Sequence, residues 1–207
     1  MQNLPGKTIE RLSQYRQALL EYNKEGKQYI YSHQIAALLH LTPVQVRRDL
    51  MLVGYNSTLR KGYHVTDLIN HIGLIIDPEQ LQKMAIVGMG NIGRAICRYF
   101  NNKRPKLSIV AAFDIDPAKM NKLVSCVYCY NIKDLPEILV KENISLAIIT
   151  VPPDQAALVA DKLVKAGIKG ILNYSSTRLN VPSNVYIEEY DIITSLEKTA
   201  YFARKKM

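Results

Sequence analysis

Three glycines near the middle of the chain have a spacing that suits phosphate binding. Gly88, Gly90 and Gly93 form the pattern G-x-G-x-x-G directly after an apolar run at 84–87, which is typical of a buried parallel strand. In this pattern the first glycine permits a tight turn, the second lets a pyrophosphate approach the backbone, and the third packs the following helix against the strand. Free N–H groups at the positive end of that helix then bind the phosphate.

An acid downstream supplies part of the context that this weak motif needs. Asp114 ends the apolar run at 109–113 and lies 21 positions after the last glycine, where a ribose-binding carboxylate is expected. Such a carboxylate accepts hydrogen bonds from ribose hydroxyls and repels a 2′-phosphate, which favours NAD(H) over NADP(H). Lys119 and Arg94 leave that preference open, and a glycine-rich turn that binds nothing is the alternative interpretation.

The chain has three cysteines, and two of them form a C-x-x-C pattern. Cys126 and Cys129 in principle suit a redox dithiol or half of a zinc site. A zinc site needs four ligands, and neither a second C-x-x-C nor a paired histidine follows in the sequence. We therefore expect no metal, and we expect ordinary buried or half-buried thiols at these two positions and at Cys97.

Composition limits the class of protein without identifying it. The 207 residues allow one large domain or two smaller ones, and 48% are hydrophobic, enough for a proper core. No apolar run approaches the roughly 18 residues of a membrane span, and residues 1–7 lack a signal peptide's apolar segment, so we expect a soluble, cytoplasmic protein without membrane contact. The net charge of +9 hints at a polyanionic partner.

The N-terminal third predicts a helix-turn-helix. Helices are expected over 8–25, 32–39 and 44–51, and Thr42, which precedes a proline and Gln45, predicts a capped start for the third helix. Glutamine can pair with adenine and arginine with guanine, and either can hold phosphates. A three-helix packing module with solvated arginines is the alternative. The residues of the third helix expected to face solvent are Gln45, Arg47, Arg48 and Asp49, with Val46 and Leu50 facing a core.

A hairpin-like segment over 54–63 follows, with Arg60 and Lys61 near its tip. After a helix-turn-helix such a hairpin is a wing, and its basic tip could enter the minor groove. Another amphipathic helix is expected over 65–76, and the domain boundary is expected at 77–78.

The C-terminal two thirds alternate strand and helix patterns, which predicts a parallel sheet in an α/β fold. Pro152 interrupts the chain after the buried strand at 146–150, at a carboxyl end where open parallel sheets bind ligands. Asn173 stands at another strand end that could border the same ligand. The helix expected over 193–206 has no obvious place on a small doubly wound sheet, which indicates a partner subunit.

Six motifs spread over nearly the whole chain resemble those of the Rex family of redox-sensing transcriptional repressors. They are RLSQY at 11–15, QVRRDL at 45–50, VGMGNIG at 87–93, AFDIDP at 112–117, TVP at 150–152 and AGIKGILN at 166–173. The combination is far more specific than any one motif. It favours the helix-turn-helix interpretation over the packing module.

The resemblance implies an α/β chain with three parts: an N-terminal winged helix-turn-helix domain at 1–77, a Rossmann-type parallel-sheet NAD(H)-binding domain at 78–190, and a C-terminal helix at 191–207. It also implies a homodimer that exchanges this helix and binds double-stranded operator DNA with an inverted repeat. In the family NADH closes the dimer and releases DNA, whereas NAD+ favours the DNA-binding form. The resemblance therefore implies a repressor, not an enzyme.

Motifs and resemblance together predict two sets of site residues. The predicted DNA contacts are Ser32, Thr42, Gln45, Val46, Arg47, Arg48, Arg60 and Lys61. The predicted nucleotide contacts are Gly88, Met89, Gly90, Asn91, Ile92, Gly93, Tyr99, Asp114, Ile115, Val151, Pro152 and Asn173. By position, Tyr99 is expected near the nicotinamide, and Asp191 is expected to take part in switching at the start of the exchanged helix.

Three departures from the family pattern allow a divergent paralogue with an altered ligand response. Residues 56–61 replace most of the glycines of the family's wing, and non-glycine residues tolerate positive φ poorly. Gln17 stands where the family often has the arginine of a switching ion pair, and Arg16 is one position away. Residues 173–176 read NYSS where the family has Asn-Phe-Ala-Pro.

Two other functions stay open. A sensor of CoA or another nucleotide is possible, because related Rossmann domains bind CoA. An NAD-dependent oxidoreductase would need a proton-transfer residue beside the nicotinamide, and Tyr99 is the one modest candidate. All four histidines precede the glycine pattern, and no further domain is left to bind a substrate.

Overall fold

The computed structural model describes residues 4–56, 61–100 and 103–204. It divides into two compact units, Met1–Pro78 and Glu79–Met207, and the division falls one residue after the end of the expected first domain. Within the described ranges no helix combines the length and the apolar character needed to cross a membrane.

The described part of the N-terminal unit contains four helices and a two-stranded ribbon. Its elements are α1 (Gly6–Lys24), β1 (Tyr29–Ile30), α2 (Ser32–Leu39), α3 (Pro43–Leu52), β2 (Tyr63–His64) and α4 (Val65–Ile76). Leu12 of α1, Val46 of α3 and Leu68 of α4 are fully buried in one core. Each belongs to the apolar face that the sequence pattern predicts for its helix. Burial of each such side chain stabilises the unit by about 1.5–3 kcal/mol.

Only one of the two hydrogen bonds of the predicted capping box forms at the start of α3. The N–H of Gln45 donates to Oγ1 of Thr42 at 3.2 Å, and Pro43 occupies the first turn. The side-chain amide of Gln45 does not complete the capping box but donates to Oδ1 of Asp49 at 2.9 Å. His40 ends α2 in the left-handed region, with φ 54°, so a three-residue turn joins the two helices of a helix-turn-helix.

The predicted wing is described only in part. β2 pairs antiparallel with β1, with Tyr29 opposite His64, and the described residues 55–56 form no strand of their own. Arg60 lies outside the described residues, whereas Lys61 is exposed in a turn. Gly62 has φ +90°, and a Cβ added there would lie 2.6 Å from a β1 carbonyl oxygen, so this return turn requires glycine.

A largely parallel sheet forms the centre of the C-terminal unit. Its described strands are β3 (Gln82–Val87), β4 (Leu107–Asp114), β5 (Lys122–Val124), β6 (Val127–Asn131), β7 (Ile144–Ile149), β8 (Gly170–Asn173) and β9 (Tyr186–Glu189). The strand order is β5-β6-β4-β3-β7-β8-β9, and only the edge pair β5–β6 is antiparallel. Without β5 this is the order of the doubly wound dinucleotide-binding fold, which reverses between β3 and β7.

Helices cover the sheet on both faces. The described helices that pack on it are α5 (Asn91–Phe100), α6 (Leu135–Lys141) and α7 (Pro153–Lys165); a short 3-10 helix (Ile132–Asp134) precedes α6, and α8 (Ile192–Arg204) follows the last strand. Leu139 of α6 and Leu163 of α7 enter the core of one face, and Cys97 of α5 enters the core of the other. Alternate residues of β3 point into the two cores, with Val87 in the first and Ile86 in the second. None of the described side chains of α8 is buried.

Candidate nucleotide and nucleic-acid sites

A cleft of about 830 Å³ opens at the carboxyl ends of β3 and β7, where the strand order reverses. Ligands of open parallel sheets bind at this kind of switch point. The volume lies within the range of small-molecule and cofactor sites. The cleft is bordered by the glycine loop, the end of β4, the start of α7 and the segment before α8.

The three glycines differ in the space around them, as their predicted roles require. Gly88 has φ +98°, and a Cβ added there would lie 2.8 Å from the carbonyl oxygen of Thr150. A Cβ added to Gly93 would lie 2.0 Å from the carbonyl oxygen of Gly88, so the close contact of helix and loop depends on glycine. Gly90 lines the cleft, and an added Cβ would meet no protein atom within 4 Å. Its open side leaves room for a ligand.

Asp114 is a buried carboxylate at the end of β4, with 8% of its surface exposed. Its Oδ2 accepts hydrogen bonds from the N–H of Met89 at 2.7 Å and from Nζ of Lys119 at 3.1 Å, and its Oδ1 accepts one from the N–H of Asp116 at 2.9 Å. Burial acts to raise the pKa of Asp114, but the hydrogen bonds from Asp116, Met89 and Lys119 outweigh it and lower the pKa. The acid is therefore ionised and already braces the glycine loop.

Most of the predicted nucleotide residues border this cleft. Ile115 and Ile92 present apolar side chains to it, and they are 73% and 45% exposed. The predicted residues that line the cleft are Gly88, Gly90, Asn91, Ile92, Asp114, Ile115, Val151 and Pro152.

Four predicted nucleotide residues do not line the cleft, and one of them, Gly93, packs against Gly88 of the glycine loop instead. The side chain of Met89 is fully buried, and its N–H is already bonded to the acid of β4, so it is not free for a phosphate. Tyr99 lies beside a second, apolar cavity of about 560 Å³ together with Ile96 and Phe100. It lies near the carboxyl end of α5, about two turns beyond Ile92, whereas the glycine loop precedes the start of that helix.

Asn173 is also outside the cleft, because its side chain organises the loop after β8. It is 1% exposed; its Nδ2 donates to the carbonyl oxygen of Thr177 at 2.8 Å, and its Oδ1 accepts from the Ser175 hydroxyl at 2.7 Å. The residues of this loop that do line the cleft are Tyr174, Ser175 and Ser176. The three positions at which residues 173–176 depart from the family pattern therefore all border the cleft.

Sequence reasoning missed several residues of the cleft. Tyr190 follows β9 and packs against Tyr174, with ring centroids 5.0 Å apart, and both rings border the cleft. Lys119 reaches the cleft through its ion pair with Asp114. Both tyrosines directly follow the last residue of a strand, so the strand-end rule that selected Asn173 could have found them.

Asp191 borders the cleft and caps α8. Its Oδ1 accepts from the N–H of Ile193 at 2.9 Å and its Oδ2 from the hydroxyl of Thr194 at 2.6 Å.

In the N-terminal unit Gln17 is exposed, and the neighbouring Arg16 is turned inward to Asp77, with Nη1 and Oδ1 2.5 Å apart. Arg16 is therefore already paired within its own unit.

The recognition helix α3 presents its arginines to solvent. Arg47 and Arg48 are exposed, and Nη1 of Arg47 donates to the hydroxyl of Ser32 at 3.2 Å. Thr42 and Lys61 are exposed as well. These residues form a polar surface suited to phosphates and base edges.

Two expectations for α3 are wrong. Val46 is fully buried and cannot contact DNA, because it packs in the core of the unit. Asp49 is 2% exposed and not open to solvent, and it accepts hydrogen bonds from Arg11 and Tyr15 of α1. Its position three residues after Val46 and one before Leu50 places it on the inner side of the helix.

The thiols are unpaired and have no metal partners in the described part of the chain. Cys97 and Cys129 are buried as expected, and burial raises the pKa of each thiol to about 11. The expectation of a buried or half-buried thiol is wrong for Cys126, which is exposed. Among the described residues, no three or more His, Cys, Asp or Glu side chains are grouped as a metal site would need.

The two units define a class of proteins that join a helix-turn-helix unit to a dinucleotide-type α/β unit. Comparisons agree with this class: residues 3–50 match a family described as "Putative DNA-binding protein N-terminus", and residues 79–177 match one described as "CoA binding domain".

Whole-chain relatives identify the family. The chain is 35% identical to the redox-sensing transcriptional repressor Rex of Oenococcus oeni, over 96% of this chain and 92% of that protein. It is 28% identical to RSP, a Rex-family repressor, in a crystal structure with β-NAD+ and operator DNA, with a TM-score of 0.89 over 100% of this chain and 95% of that one. The β-NADH complex of RSP matches at 27% identity and TM-score 0.88, over 100% and 97%. The chain therefore belongs to the Rex family of redox-sensing transcriptional repressors.

Proposed function

We propose that this chain is a DNA-binding transcriptional repressor that senses the NADH/NAD+ ratio and releases operator DNA when NADH binds. The observation that carries the proposal is the union of an exposed recognition helix and a switch-point cleft in one chain. Both align from end to end with a repressor whose structures include operator DNA with NAD+ and, separately, NADH. Such a repressor acts in the cytoplasm, where bacterial DNA is held.

The cleft fits a dinucleotide. The open side of Gly90 and the first turn of α5 provide room and backbone N–H groups for a pyrophosphate. Asp114 lies where a ribose binds, and its neighbour Ile115 offers apolar surface for an adenine ring. Because Lys119 already occupies one oxygen of Asp114, a ribose hydroxyl must replace or share that lysine contact.

On the DNA side, Arg47 and Ser32 form one surface at the start of α2 and along α3. Arg48 and Lys61 add further exposed cations. Cations of this kind neutralise phosphates and account for most of the affinity of such an interface. Gln45, near the start of the recognition helix, is the candidate for base contacts.

We propose a homodimer that buries α8. Its apolar side chains Ile193, Leu196 and Phe202 are 61%, 63% and 54% exposed, which is unusual for a helix of a monomeric protein. The apolar cavity beside Tyr99 is a second surface that a partner can cover. Leu196→Glu should therefore produce monomers in sedimentation velocity, whereas a dimer of unchanged stability would contradict the use of α8.

Control of DNA binding then follows from two dimer forms with different distances between their recognition helices. A nucleotide can shift this equilibrium only as far as its affinities for the two forms differ. Asp191 is placed to respond, because it borders the cleft and also caps α8. Gln17 cannot provide a cation to Asp191, so the switch in this chain must use other differential contacts.

The test is fluorescence anisotropy on a duplex that carries the Rex-type inverted repeat, at fixed salt, because phosphate contacts make affinity steeply salt-dependent. We expect binding without ligand, release on titration of NADH, and retention with NAD+. Binding that ignores NADH would contradict redox sensing, and the absence of specific binding would contradict the repressor function on this operator.

A CoA sensor is the second candidate, since residues 79–177 match the family described as "CoA binding domain". Competition between CoA and NADH in the same anisotropy assay separates the two. Release of DNA by CoA, with no effect of NADH, would favour this candidate. We propose no enzyme activity; turnover of NADH with a simple alcohol or 2-hydroxy acid would overturn that part.

A further inference from the structure

A single carboxylate ties the recognition helix to α1. Nε and Nη2 of Arg11 donate to Oδ2 and Oδ1 of Asp49 at 2.6 and 2.8 Å, as a two-pronged ion pair. The hydroxyl of Tyr15 donates to Oδ2 at 2.6 Å, and Nε2 of Gln45 donates to Oδ1 at 2.9 Å. Asp49 therefore receives four hydrogen bonds, which fills its acceptor capacity.

The protonation state of Asp49 fixes the direction of these bonds. Burial acts to raise the pKa of Asp49, but the hydrogen bonds from Arg11, Tyr15 and Gln45 outweigh it and lower the pKa. An ionised carboxylate only accepts hydrogen bonds, whereas a glutamine amide has an NH2 donor at one end and an oxygen acceptor at the other. The NH2 of Gln45 must therefore face Asp49, and its Oε1 must face away.

We propose that Gln45 presents Oε1 to the major groove and reads a base that offers a hydrogen-bond donor. The exocyclic amino groups of adenine and cytosine are the donors available there, whereas guanine and thymine offer acceptors at the corresponding places. Gln45 is half-buried, one turn before Asp49, near the end of α3 that enters the groove in a helix-turn-helix. This inference rests on the proposed DNA-binding function.

Asp49, Arg11 and Tyr15 are positioning residues in this scheme. Asp49 and Tyr15 are 2% and 0% exposed, so neither side chain can contact DNA itself. With Asp49 held by α1, the amide of Gln45 cannot rotate to offer its NH2 without losing a hydrogen bond to a charged group. The base preference at one operator position is thus set from the interior of the unit.

The experiment removes single groups from the operator. In the inverted-repeat duplex each adenine is replaced in turn by purine and each cytosine by 2-pyrimidinone, bases that lack only the amino group. A parallel series with 7-deazapurines removes the N7 acceptor. Affinities are measured by anisotropy for the unaltered protein, Gln45→Ala and Asp49→Asn, with Arg47→Ala as a matched control on the same helix.

At one position of each half-site, removal of the amino group should weaken binding by the unaltered protein roughly tenfold, the size of a good single contact. Removal of the same amino group should hardly change the affinity of Gln45→Ala. In Arg47→Ala it should weaken binding as much as in the unaltered protein. The amide introduced by Asp49→Asn can accept from or donate to Gln45, so it no longer fixes the orientation of the Gln45 amide. In this variant, removal of the amino group should therefore weaken DNA binding less, and NADH affinity should be unchanged. If Asp49→Asn does not fold, the Gln45→Ala comparison still decides.

Two results would overturn the inference. One is a loss confined to the 7-deaza series, which would mean that Gln45 donates to N7. The other is equal losses for the unaltered protein and Gln45→Ala at every position. In both cases the protein binds its operator, so the proposed function stands. No binding to any duplex would remove both.

Discussion

The backbone N–H of Met89 donates to Oδ2 of Asp114 at 2.7 Å, which ties the glycine loop to the end of β4. The acid proposed to hold the ribose is thus also a brace of the loop proposed to hold the pyrophosphate. Lys119 and the N–H of Asp116 complete its hydrogen bonds. A hydrogen bond within the protein thus joins the two parts of the proposed dinucleotide site.

Replacement of this acid should impair nucleotide binding for two reasons. Asp114→Ala removes the ribose acceptor and leaves the buried N–H of Met89 without its partner. We expect NADH affinity, measured by NADH fluorescence, to fall at least about tenfold, with a loss of stability of about 1–3 kcal/mol in thermal or urea unfolding. Asp114→Asn, which retains an acceptor oxygen, should lose less of both. Unchanged NADH affinity in Asp114→Ala would show that the ribose is held elsewhere.

The glycines permit a contrast between folding and binding. Gly93→Ala places a Cβ 2.0 Å from the carbonyl oxygen of Gly88, so the loop or helix must shift, and we expect a markedly lower melting temperature. Gly90→Ala meets no protein atom within 4 Å, so stability should stay within about 0.5 kcal/mol. The new methyl group would nevertheless occupy space of the pyrophosphate and weaken NADH binding. Normal NADH affinity in Gly90→Ala would contradict the proposed placement.

Local sequence patterns predicted most helices and strands of both units. The cap at Thr42, the strand before Gly88 and the acid after the next strand each depend on neighbouring residues, which local chemistry determines. Similarity to solved Rex-family structures confirms the winged-helix and Rossmann architecture. The parallel arrangement was predicted from alternating strands and helices, whereas the antiparallel edge strand β5 was not.

The orientation of individual polar side chains was harder to predict than the positions of the helices and strands. Asp49 carries a charge, so it was expected to face solvent, but four side-chain hydrogen bonds from three residues compensate for its burial. Asn173 stands at a strand end as a ligand residue would, yet the following loop uses its amide. In each case the partner comes from tertiary packing or from a loop of irregular shape, which residue spacing does not encode.

Loss of Arg47 should act on DNA binding alone. The side chain is exposed on α3, so Arg47→Ala should leave the melting temperature and NADH affinity nearly unchanged. If Arg47 neutralises one phosphate, the slope of log K against log salt should become shallower by about 1. Arg98→Ala, which removes an exposed arginine of α5, is the control and should leave the slope unaltered. Equal loss of DNA and NADH affinity in Arg47→Ala would contradict the division of labour between the units.

Acid should weaken the link between α1 and α3. The pKa of Asp49 is lowered in the folded chain, so its ionised form stabilises the fold above the unfolded pKa of about 3.9, and this contribution is lost as pH falls through the folded value. The difference in unfolding free energy between the unaltered protein and Asp49→Asn should be constant from about pH 5 to pH 7 and should shrink below about pH 4. The comparison cancels the titration of Asp114, whose pKa is also lowered. A difference that grows on acidification would be inconsistent with an ionised Asp49.

The three thiols should differ sharply in reactivity. Cys126 is exposed, whereas Cys97 and Cys129 are buried and have pKa values raised to about 11 by burial. Since the thiolate is the reactive form, only about a thousandth of each buried thiol would be reactive at pH 8 even if a reagent reached it. We expect one thiol per chain to react quickly with 5,5′-dithiobis(2-nitrobenzoic acid) and the other two only after addition of denaturant. Cys126→Ser should abolish the fast phase. A thiol that still reacted quickly in this variant would mean that the core around α5 opens readily.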